Sequence, residues 1–193
     1  MTVRYCQRCV PAVALLPRDG TAACPGCGYA EPARRLPLFV VTGASGAGKS
    51  AVCADLAAAL PECLVFDVDW LIDPFTRAGT PVDWPALFEA SLVVAHGAAQ
   101  GGRHTVLLGP LTPDKLDVPA RRWVGAIHFA LLDCPDGARR QRLAARPSWR
   151  AADAERQLAF AAYLRRVVPT VIATDGGPAD AAAELAAWVR RLL

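Results

Sequence analysis

The chain has 193 residues, of which 53% are hydrophobic and 20% are charged, and its formal net charge at pH 7 is +3. This length suits one core domain with a small appendage, and the composition is that of a folded protein rather than a disordered one. The mild charge argues against extensive binding to nucleic acid or to an anionic membrane.

The sequence also lacks the features of a membrane or exported protein. No uncharged apolar run approaches the ~20 residues that a membrane-spanning helix needs. The first residues, Met1–Cys9, contain no apolar segment of the signal-peptide kind. We therefore expect a cytoplasmic protein without a membrane partner, and the sequence leaves its oligomeric state open.

Two cysteine pairs, Cys6-x-x-Cys9 and Cys24-x-x-Cys27, mark the start of the chain. Each pair turns two thiolates toward one point, and two such pairs provide the four sulfur ligands of a tetrahedral zinc site. The sequence predicts a four-cysteine zinc ribbon over residues 1–33, with a strand at Val10–Leu16. Two disulfides and a redox-active dithiol are the alternatives, and a cytosolic setting disfavours disulfides. Four thiolates complete the coordination shell, so the zinc would be structural.

A phosphate-binding loop opens the second predicted domain, which covers residues 34–193. The apolar strand Leu36–Thr42 runs directly into Gly43–Ser50, a complete G-x-x-x-x-G-K-S motif followed by a helix. Lys49 would reach the β- and γ-phosphates of a nucleoside triphosphate, and the Ser50 hydroxyl would bind Mg²⁺. The remaining loop residues would surround the phosphates with backbone N–H groups: Gly43, Ala44, Ser45, Gly46, Ala47 and Gly48.

The rest of the chain alternates between strands and helices, as α/β proteins do. Strands are predicted at Leu64–Val68, Thr105–Gly109, Ala126–Asp133 and Val168–Ala173, and helices at Ala51–Leu60, Pro85–Gln100, Asp136–Ala145, Asp153–Arg166 and Pro178–Leu193. Right-handed crossovers then give an α/β three-layer sandwich of the P-loop NTPase type around a five-stranded parallel sheet. Ligands of such sheets bind beyond the carboxyl ends of the strands.

From about residue 36 onward the chain resembles the small P-loop kinases of the adenylate-kinase-like group, among them chloramphenicol phosphotransferase, gluconate kinase and shikimate kinase. The resemblance rests on the P-loop and on three further segments. These segments are Phe66–Ile72 (FDVDWLI), Leu131–Pro135 with the arginine-bearing helix after it, and Ile172–Gly176 (IATDG). The zinc ribbon lies outside this resemblance.

The resemblance implies a role for several residues. Asp69 corresponds to the catalytic base of the chloramphenicol enzymes. Arg146 and Arg150 flank a break between two helices, where the related kinases place a mobile lid whose arginines close on the transferring phosphoryl group. Asp175 lies in the turn that approaches the adenine. Because the third strand ends without an acidic residue, Mg²⁺ would rely on Ser50 and on water molecules, with Asp67 or Asp69 as further candidate ligands.

The predicted function is transfer of the γ-phosphoryl group of MgATP to a hydroxyl of a small molecule such as a nucleoside, a sugar acid or an antibiotic-like alcohol. The acceptor pocket would be built from segments 70–90 and 110–122, including Trp70, Phe75, Trp84 and Phe88. Two alternatives stay open, a nucleic-acid-associated ATPase and a polynucleotide 5′-hydroxyl kinase that binds through the ribbon. The low net charge makes a nucleic-acid partner the less favoured one.

Overall fold

A computed structural model describes residues 4–72, 81–146 and 153–193 of the chain. These residues form a three-stranded antiparallel sheet and a five-stranded parallel sheet. The strands are β1 (Leu16–Arg18), β2 (Thr21–Ala23), β3 (Ala30–Pro32), β4 (Leu38–Thr42), β5 (Cys63–Asp67), β6 (His104–Gly109), β7 (Ile127–Asp133) and β8 (Val171–Ala173). The helices are α1 (Lys49–Ala59), α2 (Trp84–Gln100), α3 (Asp136–Ala144), α4 (Ala154–Val167) and α5 (Pro178–Leu192).

The larger sheet has the strand order β5-β6-β4-β7-β8, and every neighbouring pair is parallel. β4 lies in the middle and all five of its residues are buried, because helices cover both faces of the sheet. The loop after β4 therefore emerges at the centre of the carboxyl edge, between the ends of β6 and β7. This arrangement confirms the predicted α/β fold with a five-stranded parallel sheet.

Two apolar clusters separate the layers. On one face α1 and α5 pack against the sheet through residues such as Leu56, Leu185 and Val189. On the other face α2 and the segment around two 3-10 turns, Asp114–Leu116 and Pro119–Trp123, pack through Leu87, Leu92 and Leu116. The two faces thus differ in kind, since one is closed by regular helices and the other partly by an irregular segment.

The start of the last strand was predicted too early. β8 begins at Val171 rather than Val168, because the Val168 N–H still bonds to the Leu164 carbonyl as the last link of α4. Pro169 then separates the helix from the strand. Among the described residues, no helix is both long enough and apolar enough to span a membrane.

The small sheet β1–β3 lies within the first thirty-three residues and carries the cysteine pairs beside it. The predicted strand Val10–Leu16 is wrong except at its last residue. Residues before Leu16 follow the first knuckle, where the Cys6 N–H bonds to the Val13 carbonyl at 2.8 Å, and only an isolated bridge joins Tyr5 to Ala14. A turn at Asp19 and Gly20 joins β1 to β2.

Candidate functional site

The P-loop, residues 43–50, connects β4 to α1 and depends on glycine at points of close approach. A Cβ on Gly43 would lie only 2.6 Å from the Leu132 carbonyl oxygen. Gly46 and Gly48 have φ angles of +84° and +101°, which other residues rarely adopt. These conformations let the loop turn tightly at the amino end of α1, where unpaired N–H groups attract anions.

Two arginines of α3 donate hydrogen bonds to backbone carbonyls of the P-loop. Arg139 is fully buried, donates to the carbonyls of Ala44 (3.4 Å) and Ser45 (2.9 Å), and forms an ion pair with Asp133. Arg142 donates to the Gly46 carbonyl at 3.2 Å. Because these carbonyls point toward the arginines, the loop is held in one backbone conformation before any ligand binds.

Sequence analysis did not single out Arg139 and Arg142, because they belong to an arginine-rich stretch that is usually solvent-exposed. A signal was nevertheless present. Leu143 is the one large apolar residue of α3, and Arg139 lies four residues before it on the same helix face. The face that buries Leu143 therefore also buries Arg139.

Lys49 extends over the loop, and its Nζ donates to the Gly43 carbonyl at 2.6 Å. Burial lowers the pKa of Lys49 to about 8, although the nearby carboxylates of Asp69 and Asp67 act to raise it. An ammonium group with a lowered pKa is under-stabilised in its charged form. A negatively charged ligand in the loop would supply the missing stabilisation.

The two carboxylates at the end of β5 have different surroundings. Asp67 is 2% exposed, and its two oxygens accept hydrogen bonds from the Ser50 hydroxyl (3.1 Å) and from the Asp69 N–H (3.0 Å). Asp69 is exposed and lines the cavity beside the P-loop. Asp67 rather than Asp69 caps the 3-10 turn Val68–Leu71, which leaves the Asp69 carboxylate on the cavity side.

The cavity beside the P-loop has a volume of about 230 Å³. The structure brings many of the predicted site residues into its lining: Ser45, Gly46, Gly48, Lys49, Ser50, Asp69 and Arg146. Arg142, which was not predicted, lines it as well. Asp175 is exposed in the loop after β8 and is not among the lining residues. Arg150 lies outside the described residues, as does Phe75. The lining of the cavity combines two arginines and a lysine with a carboxylate.

A second cavity, of about 820 Å³, lies next to the first, and Ser45 lines both. Its walls come from the first turns of α2, from segment 110–118 and from α4. The aromatic side chains of Trp84, Phe88 and Phe160 line it. The predicted segments 70–90 and 110–122 therefore both contribute through residues of the described chain, while the contribution of α4 was missed. Trp70 is 61% exposed and stacks edge-on against Phe66 instead.

Gln157 of α4 links the two cavities. Its side-chain oxygen accepts a hydrogen bond from the Ser45 N–H at 2.8 Å, and the residue lines the larger cavity. A single glutamine in a helix gives no sequence signal for such a contact, since its partner lies 112 residues away. The contact places α4 directly against the P-loop.

The four cysteines of the first thirty-three residues come together as predicted. Their sulfur atoms all lie within 4.8 Å of one another, with Cys6–Cys27 at 3.6 Å and Cys9–Cys24 at 3.7 Å. Zinc–sulfur bonds of about 2.3 Å in a tetrahedron require sulfur–sulfur distances of about 3.8 Å. The geometry of the thiols therefore fits a tetrahedral metal ion.

The fold and the loop together define an α/β domain with a P-loop, and solved structures of kinases share this fold. A sugar kinase from Janibacter sp. HTCC2649 superposes with a TM-score of 0.57 at 20% identity, covering 82% of this chain and 95% of that one. A gluconokinase from Sinorhizobium meliloti 1021 gives 0.58 at 22% identity, covering 82% and 95%. The tunicamycin resistance protein of Deinococcus radiodurans gives 0.59 at 18% identity, covering 81% and 96%.

These identities are low, so the likeness establishes the fold and nothing finer. Comparison with protein-family models gives no match, and comparison with curated protein sequences gives none either. The chemistry of this chain must therefore be argued from its own site.

Proposed function

We propose that this protein transfers the γ-phosphoryl group of MgATP to a hydroxyl group of a small molecule. One observation carries the proposal: a cationic phosphate cradle and an exposed carboxylate, Asp69, line the same cavity, and a larger cavity adjoins it at Ser45. A simple ATPase needs the first cavity but has no use for the second. The solved kinases that share the fold support the same reaction class.

The side chains at the end of β5 suit a magnesium ion. The Ser50 hydroxyl and an Asp67 oxygen lie 3.1 Å apart, close to the ~3.0 Å between neighbouring ligands of an octahedral Mg²⁺ site with bonds of about 2.1 Å. Ser50 and Asp67 would hold the ion, directly or through water. Bound Mg²⁺ supplies positive charge that neutralises the β- and γ-phosphate oxygens.

The other residues act on the reacting groups. Lys49, Arg142 and Arg146 line the phosphate cavity, where their charges would stabilise the negative oxygens of the transferring group. The Asp69 carboxylate would hold the acceptor hydroxyl in line with the γ-phosphorus. As the new oxygen–phosphorus bond forms and the bond to the β-phosphate oxygen breaks, the hydroxyl proton passes to Asp69 and ADP leaves.

The roles predicted for Arg146 and for Asp175 are contacts with a bound nucleotide. Arg146 lines the phosphate cavity. We propose that it acts with Arg150 as a lid over the phosphates. Asp175 follows Thr174, whose backbone and hydroxyl oxygens accept hydrogen bonds from Arg142 at 3.0 Å. Arg142 therefore joins the loop that we expect to contact adenine to the loop that we expect to contact phosphate.

The cysteine cluster supports a structural zinc site in a ribbon over residues 1–33, followed by the kinase domain over residues 34–193. Cys6, Cys9, Cys24 and Cys27 would fill all four coordination positions. A closed site leaves no position for a substrate or a water molecule. The zinc would therefore contribute to folding and not to phosphoryl transfer.

The proposed function is tested by measuring ATP consumption in the presence of nucleosides, sugar acids, and aromatic and aminocyclitol alcohols, assayed one class at a time. We expect one class to stimulate ADP formation strongly over the rate without acceptor. A rate that no small hydroxyl compound changes, but that RNA or DNA ends stimulate, would support a polynucleotide kinase or a nucleic-acid-associated ATPase instead.

The lowered pKa of Lys49 predicts proton uptake when ATP binds. Above pH 8 the lysine of the free protein is largely neutral, and the phosphates would raise its pKa and restore the charge. At pH 8.5 binding should take up as much as roughly three-quarters of a proton, and ATP affinity should fall as the pH rises further. Calorimetry in two buffers of different ionisation enthalpy measures the uptake.

Adenosine is the control ligand for this experiment, because it lacks phosphates and should bind without proton uptake. If ATP binds at pH 8.5 with no proton uptake, Lys49 does not contact the phosphates in the way we propose.

Replacement of Asp69 tests the assignment of the base. Asp69→Asn keeps the size of the side chain but removes its ability to take a proton, so turnover on the acceptor found by the screen should fall by about two to four orders of magnitude. ATP affinity and melting temperature should stay close to the wild-type values. The matched control is Asp55→Asn, an exposed aspartate of α1, and equal turnover of the two variants would show that Asp69 is not the base.

The zinc site predicts the metal content of the purified protein. Elemental analysis should find one zinc ion per chain, and Cys24→Ser should lose it, because three thiolates hold the ion far less tightly than four. Cys53→Ser, which changes a cysteine of the sheet core, should keep its zinc. Wild-type protein that is folded but metal-free after growth with zinc would contradict the assignment.

A further inference from the structure

The chain contains 21 lysines and arginines, of which only Lys49 and Lys115 are lysines. The two lysines lie in the two neighbouring cavities, Lys49 beside the phosphate loop and Lys115 in the larger one. A lysine presents a compact charge with three rotatable donors, whereas an arginine presents a wide planar fork. The positions of the lysines thus coincide with the positions where a small anionic group would fit.

The ammonium group of Lys115 is poorly supplied with partners of opposite charge. Its Nζ lies 4.9 Å from the ring centroid of Phe160 and 5.9 Å from that of Phe88, and it donates to the Pro110 carbonyl at 3.1 Å. Burial lowers the pKa of Lys115, although the nearby carboxylate of Asp114 acts to raise it. Within residues 4–72, 81–146 and 153–193, no carboxylate forms an ion pair with it, although Asp114 and Asp117 line the same cavity.

These surroundings select for one kind of ligand. Aromatic faces attract a cation but cannot accept its remaining hydrogen bonds as an oxygen would. A negatively charged ligand oxygen balances the charge of a partly desolvated ammonium group and also accepts its remaining hydrogen bonds. The rings of Trp84, Phe88 and Phe160 meanwhile offer flat apolar surface to the body of the ligand.

We propose that the phosphoryl acceptor combines a flat apolar ring with one anionic group, and that Lys115 selects it by binding that group. This inference rests on the proposed function, because it assigns the larger cavity to the acceptor. Asp114 and Asp117 are exposed residues at the edge of the cavity, where they would repel a second negative charge. The cavity volume of about 820 Å³ accommodates a molecule of this size.

Three probes with the same ring and hydroxyl group test the charge preference: 4-(hydroxymethyl)benzoate, 4-(hydroxymethyl)benzamide and 4-(hydroxymethyl)benzylamine. Binding is measured by calorimetry with a non-hydrolysable ATP analogue present. We expect the benzoate to bind about tenfold or more tightly than the amide, as one charge-assisted contact implies. Lys115→Met, which keeps the apolar stem, should abolish this preference and leave amide binding unchanged.

Arg166→Met is the control, since it removes an exposed cation of α4 that lines neither cavity and should leave the preference for benzoate intact. Equal binding of benzoate and amide, tighter binding of the amine, or a preference that survives in Lys115→Met would each overturn the proposal. Failure of all three probes to bind would overturn it too, because a ring and one anion would then be insufficient. A preference for benzoate, combined with no phosphoryl transfer to any hydroxyl compound when MgATP replaces the analogue, would reject the proposed function and retain the anion site.

A different set of contacts assigns a role to the ribbon. Trp123, at the end of the second 3-10 turn, is fully buried in an apolar cluster with ribbon residues that include Cys6, Leu15 and Cys24. This turn follows directly on the segment that carries Lys115. The ribbon therefore packs against Trp123, which ends the irregular segment whose earlier residues line the larger cavity.

The far end of α2, whose first turns carry Trp84 and Phe88 into the same cavity, contacts Trp123 and Arg34, the residue that follows the ribbon. His96 Nδ1 lies 3.1 Å from the Trp123 carbonyl oxygen. Gln100 exchanges two hydrogen bonds with the backbone of Arg34, one accepted from its N–H at 3.1 Å and one donated to its carbonyl at 3.0 Å. The irregular wall thus reaches the ribbon through Trp123, and α2 reaches Trp123 and the residue next to the ribbon.

We infer that the metal-bound ribbon positions the wall of the larger cavity and has no comparable effect on the phosphate loop, which α3 braces independently. Hydrogen exchange tests this in the full-length protein with and without chelation of zinc. Exchange should become about tenfold faster or more in residues 110–124 and stay unchanged in residues 43–59. The affinity for the ATP analogue should also stay unchanged.

Trp123→Ala keeps the inference testable whatever the metal content, because it removes the contact itself and should produce the same pattern of exchange. Unchanged exchange in residues 110–124 in both experiments would overturn the inference. An equal increase throughout the chain would overturn it as well, since it would show that the ribbon supports the whole fold.

Discussion

The rest of the site depends on the hydrogen bonds that the buried Arg139 donates to the P-loop. A phosphate loop must present its N–H groups inward, which leaves its carbonyl groups facing the protein, and these carbonyls need donors. Arg139 supplies donors to two of them, and Asp133 at the end of β7 balances its charge. Removing one member of such a buried pair typically costs about 3–5 kcal/mol, because it leaves a charge without a partner. The loop is therefore preorganised by α3 and β7, and not by its ligand.

From this brace the two cavities acquire different characters. The phosphate cavity is built from backbone groups and charged side chains around one rigid turn. The larger cavity is built from the first turns of α2, from an irregular segment and from α4, and α4 contacts the P-loop through the hydrogen bond from the Ser45 N–H to Gln157. Segments without regular hydrogen bonding tolerate substitution more readily than a strand or a P-loop does. Such a division would let the acceptor change while the phosphate chemistry stays the same.

The sequence predicted the sheet, the P-loop and the cysteine cluster because each has a local signature: an apolar strand, fixed glycine spacing, and paired cysteines. It missed Arg139, Arg142, Gln157 and Lys115 because their partners are distant in the chain, and a charged residue in a helix or turn is usually solvated. It also misplaced the ribbon strand, since the knuckle around Cys6 and Cys9 determines the path of the chain up to Leu16. The sequence identified Asp67 and Asp69 as a pair of carboxylates. It did not show that Asp67 accepts two hydrogen bonds, which distinguish its surroundings from those of Asp69.

The central claim is that the γ-phosphoryl group of ATP passes to a small hydroxyl compound rather than to water. Phosphorus NMR of the full-length protein with MgATP and the acceptor candidates follows the fate of that group directly. The account predicts a new phosphomonoester resonance that grows in step with ADP. Formation of ADP and inorganic phosphate alone, at a rate independent of every acceptor, would contradict it.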